Sequence, residues 1–185
     1  NRVFRDSQAF NSRIYDSTIG LFIGPTMLAM EGRTHWQHRN LVSAAFKSKS
    51  LQRWEPAIVR PVVNALIDEF IADGQADLVK QFTFEFPTRV ITKLLGLPEE
   101  EWEIIAGESA TIGLAMGVTF KQELPRIEAA LARLFEYADA AIAEREANPR
   151  EDFMTAMVQA KNEGGLSADE LRDAVVLMIF GGYDT

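Results

Sequence analysis

Apolar residues recur three and four positions apart along most of this chain, a period that predicts helices from one end to the other. The spacing predicts a short helix over 1–10 and a longer one from Thr34 to about Phe46. Further amphipathic helices are expected over Glu55–Ala72, ending at Asp73-Gly74, and over about Leu78–Leu95, where Pro87 separates the first turns. Gly96 closes that helix, and Pro98 with Glu99, Glu100 and Glu101 opens the next with acidic residues at its dipole-favoured end. Gly107, Gly113 and Gly117 loosen the chain beyond that opening, so a hinge or loop is expected around Gly113–Thr119. A long amphipathic helix then runs from Lys121 or Gln122 to Ala147, a shorter one from Glu151 to Lys161, and Glu163-Gly164-Gly165 reads as a turn.

The last helix has the sharpest sequence signals. Ser167 and Glu170 form a capping box at its start. From Ala174 it is apolar on every side, which predicts burial from every direction. The alternation of Phe82, Phe84 and Phe86 is the one strand-like feature, and it too is read as helix. The fold class is therefore all-α, as one domain spanning 1–185. Only 11–31 breaks the period. It is an irregular stretch unusually rich in apolar residues, Tyr15, Ile19, Leu21, Phe22, Ile23, Met27, Leu28 and Met30 among them. A loop of that length and hydrophobicity either plugs a core or lines an apolar pocket.

Composition narrows the partners. No linker, repeat or low-complexity tract interrupts the 185 residues. No apolar run is long enough to cross a bilayer and no secretory signal opens the chain, which predicts a cytoplasmic protein with no membrane attachment. There is no cysteine, hence no disulfide and no thiolate metal site within these residues. The net charge of −8 argues against nucleic acid as a partner. Within that acidic whole, Arg33, Arg39, Lys47, Lys49 and Arg53 follow one another with no intervening acid. Such a stretch is either a solvated helix face or a surface that steers an acidic partner.

Two short segments carry candidate chemistry. Gly181-Gly182-Tyr183-Asp184-Thr185 closes the apolar helix with two glycines, an acid and an alcohol. Paired glycines disfavour a helix, and the Thr185 hydroxyl is placed to reach the Gly181 carbonyl, so a local opening of the last turn is expected. Asp184 adds a titratable group beside it. In the second segment, His35 and Arg39 lie four residues apart and share a helix face, a natural clamp for carboxylates. Thr34 and Gln37 offer a capping-box start for that helix.

Together these segments resemble the cytochrome P-450 family of haem-thiolate monooxygenases, whose distal helix carries Ala/Gly-Gly-x-Asp/Glu-Thr and whose propionate-binding helix carries His-x-x-x-Arg followed by Ala-Phe, here Ala45-Phe46. The junction Leu94-Leu95-Gly96-Leu97-Pro98-Glu99-Glu100 is similar too, and the likeness runs from Val3 to the end. It implies b-type haem (heme b), molecular oxygen and a small hydrophobic substrate, with NAD(P)H electrons delivered by a ferredoxin-type or flavodoxin-type donor. His35 and Arg39 would bind the haem propionates, Gly181 and Gly182 would leave room for oxygen, and Asp184 and Thr185 would manage proton delivery. Met27, Leu28, Leu177 and Phe180 would face substrate, with Leu114–Thr119 as a lid or as plain packing. The resemblance also implies a partial chain. The family's N-terminal sheet region, its Glu-x-x-Arg pair and its haem-ligating cysteine are all missing, so these residues alone are expected to be inactive and to self-associate. From the residues themselves another reading stays open: a non-enzymatic, all-helical ligand-binding or regulatory domain.

Overall fold

A computed structural model describes residues 2–184 apart from Phe4, Ser7, Ile19, Pro25, Ala44 and Ala45, and leaves out the side chains of Leu41, Ser48, Lys49 and Asp184. Among the described residues there are helices and turns but no strand. The elements are α1 (Gly20–Ile23), α2 (Gly32–Ser43), α3 (Ser48–Trp54), α4 (Arg60–Phe70), α5 (Glu85–Leu94), α6 (Trp102–Gly113), α7 (Phe120–Ala147), α8 (Phe153–Asn162) and α9 (Ala168–Asp184).

The centre is α9. It packs against α5, α6, α7 and α8, and α1 reaches it from the irregular N-terminal stretch. Leu171, Val175, Val176, Ile179 and Phe180 are its core residues, meeting Ile91 and Leu95 of α5, Ile105 and Ile112 of α6, Leu131 and Leu134 of α7, and Met154 and Val158 of α8. The expected capping box starts it: Ser167 N–H donates to Glu170 Oε2 at 2.7 Å and Glu170 N–H to Ser167 Oγ at 3.2 Å.

Two helix junctions are held by side chains. At Gly96 the backbone adopts φ +69°, and an added Cβ would lie 2.7 Å from Arg145 Nη2. Only glycine allows that approach. Arg145, 3 % exposed, donates to the Gly96 carbonyl at 2.6 Å and pairs with Asp152 at 2.8 Å. Asp152 in turn caps α8 by accepting from Thr155 N–H at 2.9 Å. The α5–α6 turn, the end of α7 and the start of α8 are thereby fastened at one point.

Several expectations need correction. The described residues between 2 and 10 form isolated turns instead of a helix, with the Asp6 carboxylate accepting from Ala9 N–H at 3.1 Å and so competing with helical pairing. α2 begins at Gly32, ahead of the Thr34–Gln37 box, which therefore lies inside the helix. Ser48–Trp54 is helical, and a π-helical segment, Glu55–Val59, joins it to α4. A second π segment, Val79–Thr83, precedes α5. Each lies about one turn before a proline, Pro61 or Pro87, whose missing N–H and bulky ring disturb the turn behind it. The apolar stretch 11–31 divides its work. Ile23 enters the core and Tyr15 and Phe22 pack on it, while Leu21 stays exposed.

Candidate functional site

α9 runs as an unbroken α-helix through Gly181 and Gly182 to Asp184, so the described backbone shows no opened turn. Nor is it buried all round. Ala174, Leu177, Met178 and Gly181 remain half-buried, and their three- and four-residue spacing makes them a single stripe. The two glycines have different surroundings. A Cβ on Gly182 would lie 2.6 Å from Ile91 Cβ, so its bareness lets α9 approach α5. A Cβ on Gly181 would meet none of the described residues within 4 Å. Gly181 lies at the end of the half-buried stripe. Phe180 lies in the hydrophobic core, and Tyr183 meets the edge of Phe84 at 5.7 Å. The Asp184 backbone ends the helix; its side chain and all of Thr185 lie outside the described residues.

α2 lies alongside this stripe. Its His38 and Val42, four residues apart, face inward and line a cavity of about 20 Å³ with Thr26 and Met27 from the irregular stretch and Ala174, Leu177 and Met178 from α9. That volume holds roughly one water and no organic substrate. Two predicted substrate residues, Met27 and Leu177, therefore do meet, while Leu28 sits at the surface. On its other side α2 presents Arg33, Trp36 and Arg39 outward, with His35 half-buried between. Among the described residues Arg39 makes no ion pair. Phe46, just beyond α2, makes edge contacts with Trp54 at 5.5 Å and Phe153 at 5.9 Å, fastening the end of α2 to α3 and α8.

A polar cluster that the sequence patterns left unassigned joins the two helices. His38 Nε2 is 3.1 Å from Glu170 Oε1, and its side chain is 12 % exposed. The Glu170 carboxyl is held below the usual range, chiefly by the Ser167 backbone hydrogen bond, against burial, with His38 adding to the effect. One turn on, Asp173 is 7 % exposed and burial pushes its carboxyl upward, outweighing the pull of Arg172. Its Oδ1 is 3.5 Å from Arg172 Nη2 and has no hydrogen-bond partner; the buried Thr26 Oγ1 has none either. Gly24, with φ +85°, brings its backbone so close that an added Cβ would lie 2.8 Å from Asp173 Oδ2. His38 sits next to the recognised Arg39 and its inward spacing with Val42 was legible. Its partner, more than a hundred residues away, was not.

Among the described residues no group of His, Cys, Asp and Glu is placed to hold a metal ion, and no helix is long and apolar enough to cross a membrane.

No family model matches the chain. Individual proteins do. Luteothin monooxygenase from Streptomyces thioluteus is 30% identical over 165 residues, which is 89% of this chain and 40% of that enzyme. Among solved structures, CalO2 superposes with a TM-score of 0.82 at 29% identity, covering 89% of this chain and 41% of that one. A myxobacterial cytochrome P-450 solved with myristic acid gives a TM-score of 0.80 at 28% identity over 89% of this chain and 40% of its own. The chain thus spans about two fifths of the proteins it matches. Alike over 89% of its length in both sequence and backbone, the chain belongs to the cytochrome P-450 family.

Proposed function

We propose that these residues supply the distal and propionate-binding side of a haem-dependent monooxygenase that acts on a small hydrophobic substrate. The observation that carries this reading is that α2 seats His38 and Val42 against the α9 stripe while keeping an uncovered cationic face. On that face Arg39 has no acidic partner among the described residues, and the apolar α9 stripe of Ala174, Leu177, Met178 and Gly181 beside α2 is only half-buried. A planar ligand with an apolar body and carboxylates at one edge fits that combination, and haem is such a ligand. His35 and Arg39 would hold the carboxylates. Leu177 and Met178 would lie against the apolar surface, and Gly181 would leave the gap in which a diatomic ligand fits.

When bound, haem supplies the oxygen-activating chemistry. The chain's own residues orient the cofactor, keep water from it and, through Asp184 and Thr185, hold and pass a proton at the end of α9. With no cysteine among the 185 residues, a thiolate ligand for haem is not theirs to give. Electrons would come from NAD(P)H through a ferredoxin-type or flavodoxin-type donor, and the basic run from Arg33 to Arg53 would meet that donor.

Haem titration tests the reading. Arg39→Ala is expected to weaken haem binding by about tenfold, the loss that follows removal of one charge-assisted pair; unchanged affinity would dismiss α2 as the propionate helix. In the full-length haem enzyme, Thr185→Ala is expected to leave substrate binding intact while diverting reducing equivalents to peroxide or water. Asp184→Asn is expected to slow turnover. Coupling equal to the unsubstituted enzyme in both variants would remove these residues from the proton path.

A further inference from the structure

α2 is weakly anchored for a helix that must aim two side chains. Trp36 is 64% exposed, Arg33, Arg39 and Asn40 face outward, and of its described apolar side chains only Val42 packs against the core. Burial alone therefore does little to fix the rotation of α2 about its axis. What opposes rotation is polar. The imidazole of His38 is largely buried and meets Glu170 at 3.1 Å, and among the described residues this is the ion pair that ties α2 to another element. The acceptor is itself immobilised: Glu170 Oε2 receives the Ser167 N–H, so Oε1 is presented to α2 from a fixed point on the first turn of α9.

We propose that His38 is a positioning residue, which through Glu170 sets the rotation of α2 and so aims His35 and Arg39 at a cofactor carboxylate. On a helix, His35 lies about 60° and Arg39 about 100° from His38 in the same direction, so the two share a face about 40° wide. A turn large enough to carry His38 out of reach of Glu170 would carry both clamp residues away by the same angle. The titratable groups lining the cavity beside His38 are Glu170 and Asp173, both from α9, and Asp173 is engaged with Arg172. Thr26 and Met27, from the N-terminal stretch, bring no charge. Glu170 is thus the anion within reach of the ring. The inference rests on the reading of α2 as the propionate helix.

Its test compares iron protoporphyrin IX with the dimethyl ester of the same porphyrin, whose carboxylates are blocked. The unsubstituted protein is expected to bind haem more tightly than the ester. His38→Leu is expected to weaken haem binding about tenfold, as loss of an outer partner does elsewhere, and to leave ester binding unchanged. His38→Gln, whose amide still donates to Glu170, should restore most of the difference. Val42→Ala, which loosens α2 through packing, should weaken both ligands alike. Amide exchange across 35–43 in the haem-free protein should quicken in His38→Leu and not in His38→Gln. If His38→Leu does not fold, His38→Asn, too short to reach Glu170, takes its place. Equal losses for haem and ester, or an unaltered ratio between them, would assign His38 to packing and overturn the inference. If the unsubstituted protein does not distinguish haem from its ester, the propionate reading of α2 fails and this inference fails with it.

Discussion

Adjacent residues of one type have opposite parts at the end of α9. Gly182 faces Ile91, whose Cβ would be 2.6 Å from an added methyl group, and a Cβ atom cannot swing aside as a long side-chain tip can. Gly182→Ala must push α9 off α5 and is expected to cost about 1–3 kcal/mol. At Gly181, about 100° round the helix, an added Cβ meets none of the described residues within 4 Å, so Gly181→Ala gains helix propensity and is expected to stabilise the protein by up to about 1 kcal/mol. Urea denaturation of the two variants separates them by sign; equal destabilisation would contradict this packing of α9 on α5. Asp173 makes a second test at this scale. Its folded-state carboxyl is raised by burial, so in the folded state it keeps a proton that the unfolded chain has already lost. Stability therefore falls as pH rises from the ordinary Asp value through the raised one. Glu170, depressed, works the other way: its contribution is present above its unfolded value and is lost as pH falls through the folded one. Asp173→Asn is expected to raise Tm near neutral pH by ~2–4 °C, corresponding to about 1 kcal/mol, and to remove the decline between acid and neutral pH. Melts showing the same pH slope in both proteins would rule out Asp173 as its source.

At the scale of elements, what could be read from sequence was whatever is decided within one turn. The Ser167–Glu170 box, the stop at Gly74, the Gly96 turn and the separation of the first turns before Pro87 each depend on neighbours in the chain, and each is present. The misses have local rivals or distant partners. Residues 2–10 look helical by composition, but Asp6 takes up a backbone donor. The Thr34–Gln37 box was a sound signal in the wrong place, because α2 had already started at Gly32. Likewise, the all-round apolarity of α9 described its composition and not its surroundings, since one stripe is only half-buried. The tie from His38 to Glu170 depends on how α2 lies across α9, which no periodicity specifies. The basic run is an element-scale feature with its own test. It extends from exposed Arg33 and Arg39 on α2 through exposed Lys47 to Arg53 on α3, where Arg53 lies 3.6 Å from Glu151 of the α7–α8 turn. Both groups of that pair are largely exposed, so it contributes little and leaves the positive surface mostly intact. In the full-length enzyme, charge reversal at Lys47, Lys49 and Arg53 is expected to slow association with an acidic electron donor by about tenfold at low salt and to flatten the salt dependence. Stopped-flow reduction unchanged at low salt would show that the donor docks elsewhere.

The whole molecule joins a well-packed interior to an apolar exterior that such an interior does not require. Ile71, just past α4, and Leu78, Val79 and Phe84 in the segment leading to α5 are all exposed, and Phe84 touches Tyr183 in the last turn of α9. Phe82 and Phe86, close by in the chain, stack at 5.5 Å. Covering a large apolar side chain is worth about 1.5–3 kcal/mol, so several exposed within one stretch of chain favour contact with another apolar surface. In a solution of this 185-residue chain the surface available is a second copy. The chain is therefore expected to self-associate, and more so as salt weakens the mutual repulsion of its net −8 charge. Leu78→Lys with Val79→Lys should shift the population toward monomer without lowering Tm, because both side chains are already exposed. Light scattering across a concentration series decides it. A monodisperse monomer at every concentration would refute self-association, and an oligomer indifferent to the two lysines would locate the contact on a different face. Haem added to the same samples bears on the site. These residues contain no cysteine, so the reduced, carbon-monoxide-treated complex should lack a thiolate-type spectrum, and any binding should depend on Arg39 whatever the oligomeric state. Haem retained equally by Arg39→Ala would place it in the apolar surface between copies and away from α2.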